Sequence, residues 1–372
     1  MFLTKRLATL VFSGAISIAS VSSSHALGSV VFEENFDDQP DWTSTMFSTV
    51  NMQKKSGGDV LPDGWDLIYQ GTTWSPETGD KENHASLELL DQNVDKARGQ
   101  SGKSAVMWRE SYSRGWQNWA SDSQLWKSLG AGYEELYVEF YIRFSPNWWQ
   151  RTAANKASWT SKILRIGSWD GVGDEVNGSA GALGPIVFWD YKQDPYGMRN
   201  VLAFRGGPWG ENYRFSGQYT AGVSLNYTTD TAGQGKDGLN PTHTNILTGS
   251  PLVSGPTAWH EDVFGPTDNW TKMAFYVKLN SAPGAADGIF RQWINGERIV
   301  NRENIPWVMA NSENKMVKWN YFAIGGNDYF QAYPNEQQFE DWYAIDDLVV
   351  RSSIPDEQKV PAPNPPTDIG VQ

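Results

Sequence analysis

The chain has 372 residues, a formal charge of −13 and no cysteine, so no disulfide holds the fold and no thiolate chemistry is available. The acidic balance repels nucleic acid and anionic membrane surfaces, and neither is expected as a partner. Nineteen Trp, fifteen Tyr and sixteen Phe exceed what a core of this size needs, which points either to exposed flat faces that stack on sugar rings or to a thick Trp-filled sandwich.

Lys5 and Arg6 form a basic head, Leu7 to Val21 is apolar and small, and Ser24-His25-Ala26 offers small residues at the two positions a signal peptidase reads. Residues 1–26 therefore read as a secretory signal, too short and broken to span a bilayer, and the protein is expected to be secreted or periplasmic. No later apolar run approaches the ~20 residues of a spanning helix. Residues 27–356 are expected to form one domain, and residues 357–372 a proline-rich tail.

The domain opens on Val30–Asp37, an apolar run carrying Glu34 and Asp37. Asp122–Leu129 reads as a short helix started by an Asp or Ser cap. Leu136, Val138, Phe140, Ile142 and Phe144 then alternate with Tyr137, Glu139, Tyr141 and Arg143, the two-residue period of a half-buried strand. Ile186–Trp189 and Val201–Phe204 are continuous apolar runs of the kind that strands covered on both faces show. Asn226–Pro266 is rich in Gly, Thr, Asn and Pro and reads as a long functional loop. Met273, Phe275, Val277 and Leu279 alternate again, and Gly288–Ile294 runs through Asn295-Gly296 into Glu297–Val300, a hairpin whose turn positions both need positive φ. Glu336–Asp341 reads as one helical turn, and Tyr343–Val350 closes the domain with Asp346 and Asp347 inside an apolar strand.

Four segments carry a family resemblance. Tyr137–Phe144, Asn269–Leu279, the hairpin Asp287–Gly296 with its D-G-x-x-x-x-W-x-N-G pattern, and Ile345–Val349 resemble, in this order, the jelly-roll polysaccharide lyases and concanavalin A-like carbohydrate-active domains, in the heparin-lyase-like and alginate-lyase-like branches. The resemblance covers most of residues 30–352. It implies an all-β, concanavalin A-like sandwich of two antiparallel sheets, a polysaccharide partner and a monomeric state. In such sandwiches the first and last strands lie side by side, so Glu34, Asp37 and Asp346 would either hold a structural Ca²⁺ through carboxylate oxygens or simply face water. No organic cofactor is implied.

Lyases of this shape cleave uronate chains by β-elimination. A cation neutralises the substrate carboxylate, a His or Tyr removes the C5 proton, and an acid, often Tyr, protonates the leaving oxygen. Their motifs have partial counterparts here. Trp108-Arg109-Glu110-Ser111 falls where Arg-x-Glu-Leu would stand. Ser161–Ile166, with Lys162 and Arg165, occupies a middle strand that lacks Gln-x-His, and Tyr321–Gln331, with Tyr329, approximates Tyr-Phe-Lys-Ala-Gly-x-Tyr-x-Gln. His25 leaves with the signal, His243 lies in the irregular loop and His260 precedes a Gly-Pro turn, which makes His84 the best-placed base. The expected catalytic set is His84, Arg109, Lys162, Arg165, Tyr321 and Tyr329, with Trp108, Trp189, Arg205 and Trp293 binding sugar.

Two other readings stay open. A retaining glucanase needs two carboxylates ~5 Å apart, and only Glu77, Asp80 and Glu82 or Glu340-Asp341 approximate that spacing. A non-catalytic carbohydrate-binding protein would use the same aromatic surface without a base. Convergence of Lys162, Arg165, Arg205, Lys278 and Arg291 into one groove would favour a lyase on an acidic polymer.

Overall fold

A computed structural model describes residues 28–44, 53–54, 60–70, 84–110, 118–146, 148, 160–173, 181–192, 197–203, 223–226, 228–229, 258–265, 269–308, 310, 314–331 and 340–355. The expected signal segment, Arg205, the stretch with Glu77, Asp80 and Glu82, the proline-rich tail and most of Asn226–Pro266 lie outside these residues.

In chain order the strands are β1 (Val30–Glu34), β2 (Trp42–Thr43), β3 (Gln53–Lys54), β4 (Leu67–Gln70), β5 (Leu87–Leu89), β6 (Ala105–Glu110), β7 (Asn118–Tyr133), β8 (Glu135–Phe144), β9 (Thr160–Gly173), β10 (Gly181–Lys192), β11 (Gly197–Ala203) and β12 (Val223–Asn226). They continue with β13 (Thr228–Thr229), β14 (Ala258–Trp259), the short helix α1 (His260–Phe264), β15 (Thr271–Lys278), β16 (Gly288–Ile294), β17 (Glu297–Ile305), β18 (Trp319–Gln331) and β19 (Glu340–Arg351). Among the described residues one sheet runs β17-β16-β15-β8-β19-β6-β5-β2, with β1 on the far part of β19, and the other runs β12-β11-β10-β9-β18-β7-β4-β3. Both are antiparallel throughout, and a parallel two-residue pair, β13 with β14, stands apart. The fold is the expected two-sheet antiparallel jelly roll.

The alternating strands bury one face each in a shared core. Val138, Phe140 and Ile142 of β8 and Phe275 and Val277 of β15 meet Ile166 of β9 and Val187 and Trp189 of β10 across the sandwich. Trp189 lies tilted against Phe140 at 5.9 Å and Phe275 at 5.5 Å, both on the opposite sheet. Burying side chains of this size contributes about 1.5–3 kcal/mol each, which is how a chain without disulfides holds its layers. The hairpin Asn295-Gly296 forms as its sequence dictates, with φ of 50° and 85°, and Asn295 Oδ1 accepts the Lys272 N–H at 2.9 Å.

Two helical expectations are corrected. Asp122–Leu129 lies inside β7, whose backbone pairs with β18 on one side and β4 on the other. Leu125 and Leu129 suit a helix stripe, yet they also share one strand face, and pairing on both sides outweighs a weak local propensity. Of Glu336–Asp341, Glu340 and Asp341 begin β19 opposite Glu110 and Arg109, and the remainder lies outside the described residues.

The terminal strands are neighbours, as the resemblance implied: Glu34 of β1 stands opposite Leu348 of β19. Their carboxylates do not form one cluster. Glu34 accepts from the Phe36 N–H at 2.7 Å through Oε1, and from Gln39 Nε2 at 2.6 Å through Oε2. Asp346 accepts the Arg98 and Asp347 N–H groups at 3.0 and 2.8 Å, while Asp37 accepts that of Lys103 at 3.0 Å. Among the described residues no three His, Cys, Asp or Glu side chains gather as a metal ion requires. Both Glu34 oxygens accept hydrogen bonds, from Phe36, Gln39 and Trp65.

Candidate functional site

Where a residue run is apolar on both faces, the face turned away from the core carries a second cluster. On the eight-stranded sheet that cluster is Leu67, Trp126, Ile186, Phe188, Tyr321 and Ala323, with Trp169 at its margin. Strand register orders it: Trp126 of β7, Ala323 of β18, Arg165 of β9 and Phe188 of β10 lie in one row across the sheet. Tyr321 stands in the next row, opposite Gly167 of β9. Diagonal neighbours of this kind have Cβ atoms roughly 7–8 Å apart.

Two cations converge here. The Arg165 guanidinium carbon lies 5.1 Å from the Phe188 ring centroid and Lys162 Nζ lies 5.6 Å from the same ring. Arg165 is 4% exposed, and burying a guanidinium is costly unless anionic or π partners face it. A bulge at Ile163 makes the arrangement: Leu164 pairs with Trp189, and Lys162, two residues earlier, pairs with the next residue, Asp190. Without that extra residue, positions 162 and 165 would fall on opposite faces. Asp190, buried, sits in register between Lys162 and Arg199. The Tyr321 ring stacks on Trp126 at 3.9 Å and an interplanar angle of 12°. The face thus combines two cations, the buried carboxylate of Asp190, a phenol and flat aromatic surface.

The remaining expected site residues go elsewhere. Trp189 is buried in the main core and is no sugar platform, because its ring fills the gap to Phe140 and Phe275. Trp293 is buried on the outer face of the nine-stranded sheet, edge-on to Tyr137. Arg109 lies on β6 of that sheet, opposite Asp341, so it does not share a sheet with Arg165. Tyr329 continues β18 opposite Ala120, with its side chain outside the described residues. Among the other candidate cations, Arg291 is held by Glu303 at 2.7 Å, and Lys278 lines a cleft of about 400 Å³ with Glu134, Asp287 and Lys318; both belong to the nine-stranded sheet.

His84 is not brought together with Lys162, Arg165 and Tyr321. Its ring lies flat on Trp108, 3.5 Å between centroids at 5°, on the outer face of the nine-stranded sheet. Glu88 organises this group: its Oε2 accepts Trp108 Nε1 at 2.7 Å and Asn93 Nδ2 at 3.0 Å and faces His84 Nδ1 at 3.3 Å, and its Oε1 accepts the Ala85 N–H at 3.0 Å. Burial pushes the Glu88 carboxyl up, but these donors outweigh it and hold it below the usual carboxylate range. Glu88→Gln keeps the shape and replaces one oxygen by a donor facing donors, so thermal unfolding should show a loss of about 1–3 kcal/mol. The loss should appear with no change in polymer turnover, since this group lies on the other sheet.

Trp126, Phe188 and Gly167 were not anticipated. The signal for Trp126 was hidden by the helical reading of its segment, and Phe188 lay in a run whose faces the period could not separate.

No family model matches the chain, and no curated protein sequence does. Its fold is similar to that of an endo-β-1,4-glucuronan lyase from the fungus Trichoderma reesei, at 12% identity and a TM-score of 0.41 over 78% of this chain and 91% of that one. An alginate lyase solved with an alginate tetrasaccharide is similar at 13% identity and a TM-score of 0.39, over 89% of this chain and 99% of that one. A β-glucanase catalytic domain from Podospora anserina is similar at 11% identity and a TM-score of 0.36, over 88% and 97%.

Proposed function

We propose that the protein is a secreted lyase that cleaves a uronate-containing polysaccharide by β-elimination on the outer face of its eight-stranded sheet. The observation that carries this reading is the pairing of Lys162 and buried Arg165 about one Phe188 ring, on the same face as the Trp126–Tyr321 stack. In a chain of net charge −13, two cations beside one buried carboxylate, Asp190, leave this aromatic floor with a surplus of positive charge, which supports an anionic ligand.

In this reading Arg165 and Lys162 hold the uronate carboxylate and draw charge from C5, which acidifies its proton. The proton leaves C5, its electron pair forms the C4–C5 double bond, and the C4–O bond breaks. Tyr321, as its phenolate, accepts that C5 proton and returns it to the leaving C4 oxygen, so no proton is left over. With His84 on the other sheet, no histidine is assigned a part.

Alginate, glucuronan, hyaluronan and heparin, each incubated with the purified protein, should separate the readings. The expected result is rising ultraviolet absorbance from the unsaturated uronate on at least one polymer. Flat traces on all four, with retention by an immobilised polymer, would make the protein a glycan binder and defeat the elimination reading. New reducing ends without that absorbance would mark a hydrolase.

A further inference from the structure

Gly167 sits in the interior of β9, opposite Tyr321 of β18 and Ile186 of β10. Its φ is not in the left-handed region, so its own backbone does not call for glycine; the register shift beside it, between Leu183 and Ile186, places the extra residue on β10. A glycine inside a strand costs conformational entropy and packs no side chain, roughly 0.5–1 kcal/mol against alanine in regular structure. The reason for it lies above the strand. A Cβ on Gly167 would overlap Cζ and the hydroxyl oxygen of Tyr321 and stand 2.6 Å from its Cε1. On its other side the phenol is blocked by Trp126, stacked at 3.9 Å. Tyr321 is 2% exposed and its hydroxyl is buried in the ligand-free chain, so the ring has no open direction to yield into, and its proposed role requires polymer binding to uncover that hydroxyl.

The geometry points to Gly167 as a positioning residue: its missing side chain is the seat that lays the Tyr321 phenol across β9, one row from Arg165. The catalytic meaning of this seat rests on the elimination reading above. The seat itself does not, and it can be measured separately. A glycine that merely tolerates a cross-strand aromatic ring would affect stability alone. A positioning glycine fixes where the phenol oxygen stands relative to the Arg165 guanidinium.

The test uses the full chain and three variants, Gly167→Ala, Tyr321→Phe and the double variant. Stacked indole and phenol rings at 3.9 Å couple in the near ultraviolet, so Gly167→Ala should weaken that circular dichroism band while the far-ultraviolet spectrum is kept. On the susceptible polymer, Gly167→Ala should lower kcat at least 30-fold with KM changed less than 3-fold. The double variant should be no slower than Tyr321→Phe alone, because both act through one hydroxyl. Unchanged circular dichroism in Gly167→Ala, or a changed band with parental kcat, would overturn the proposal, as would multiplicative losses in the double variant. If Gly167→Ala does not fold, Gly167→Ser paired with Tyr321→Leu, which empties the seat, should restore the fold; failure of that pair would also overturn it. If the parent is inactive on every polymer the elimination reading falls, and the seat stands or falls on the near-ultraviolet band.

Discussion

Arg165→Gln should lower turnover on the susceptible polymer about 10²–10³-fold, the range for removing one donor that stabilises developing charge. The argument is electrostatic. A guanidinium 4% exposed acts through a medium of lower effective dielectric than water, so its pull on a bound carboxylate is stronger than a surface charge could exert. Gln preserves much of the packing on Phe188 and removes the charge. Arg165→Lys restores charge without the planar two-donor fork, and should recover part of the loss but not all. Lys162, half-buried at the rim of the same ring, should behave differently: Lys162→Gln should raise KM more than it lowers kcat, and the KM effect should shrink as salt is added. Initial rates followed by ultraviolet absorbance at several salt concentrations measure both. Activity of Arg165→Gln within fivefold of the parent, in a protein of unchanged melting temperature, would remove Arg165 from the site.

The contrast between these two lysine and arginine positions shows where sequence reading stops. β8, β15 and the β16–β17 hairpin were legible because alternation and Asn-Gly are local signals, set by a side-chain period of two and by the need for positive φ. The pairing of β1 with β19 was legible only through resemblance, since nothing local brings residues more than 300 positions apart together. The face on which Lys162 and Arg165 meet was not legible. Simple alternation sends residues three apart to opposite sides, and only the bulge at Ile163, visible in the register with β10, returns them to one side. Trp189 and Phe188 present the same difficulty: both are apolar, and the choice of which enters the core is made by Phe140 and Phe275 on the other sheet. His84 illustrates a third kind of miss. Its i,i+4 relation to Glu88 was present in the sequence, yet the flat stack on Trp108 depends on β5 pairing with β6.

Asp346 should make the fold lose stability as pH rises, the opposite of most paired carboxylates. Burial dominates and raises its pKa, the charges of Asp347 and Asp37 add to the rise, and the Arg98 and Asp347 N–H donors only partly offset it, leaving it at about 7. An unfolded aspartate titrates near ~3.9, so between about pH 4 and about pH 7 the folded protein holds a proton that the unfolded chain releases. The stability associated with the neutral carboxyl is therefore complete below about pH 4 and is lost as pH rises through about 7. Its full size is on the order of 4 kcal/mol, an upper bound because burial can relax. Asp346→Asn is neutral at every pH. It gives up one accepted backbone hydrogen bond, a constant cost of about 1 kcal/mol, so the diagnostic is the slope and not the offset. Denaturant unfolding from pH 4 to pH 8 should show the variant gaining steadily on the parent. A parallel pair of curves would mean that Asp346 is ionised in the folded state throughout, with its charge compensated by something bound. Millimolar calcium bears on that directly: suppression of the parent's slope would mean the ion bridges Asp37 and Asp346, whereas a persistent slope leaves protonation as the way this strand end neutralises its charge.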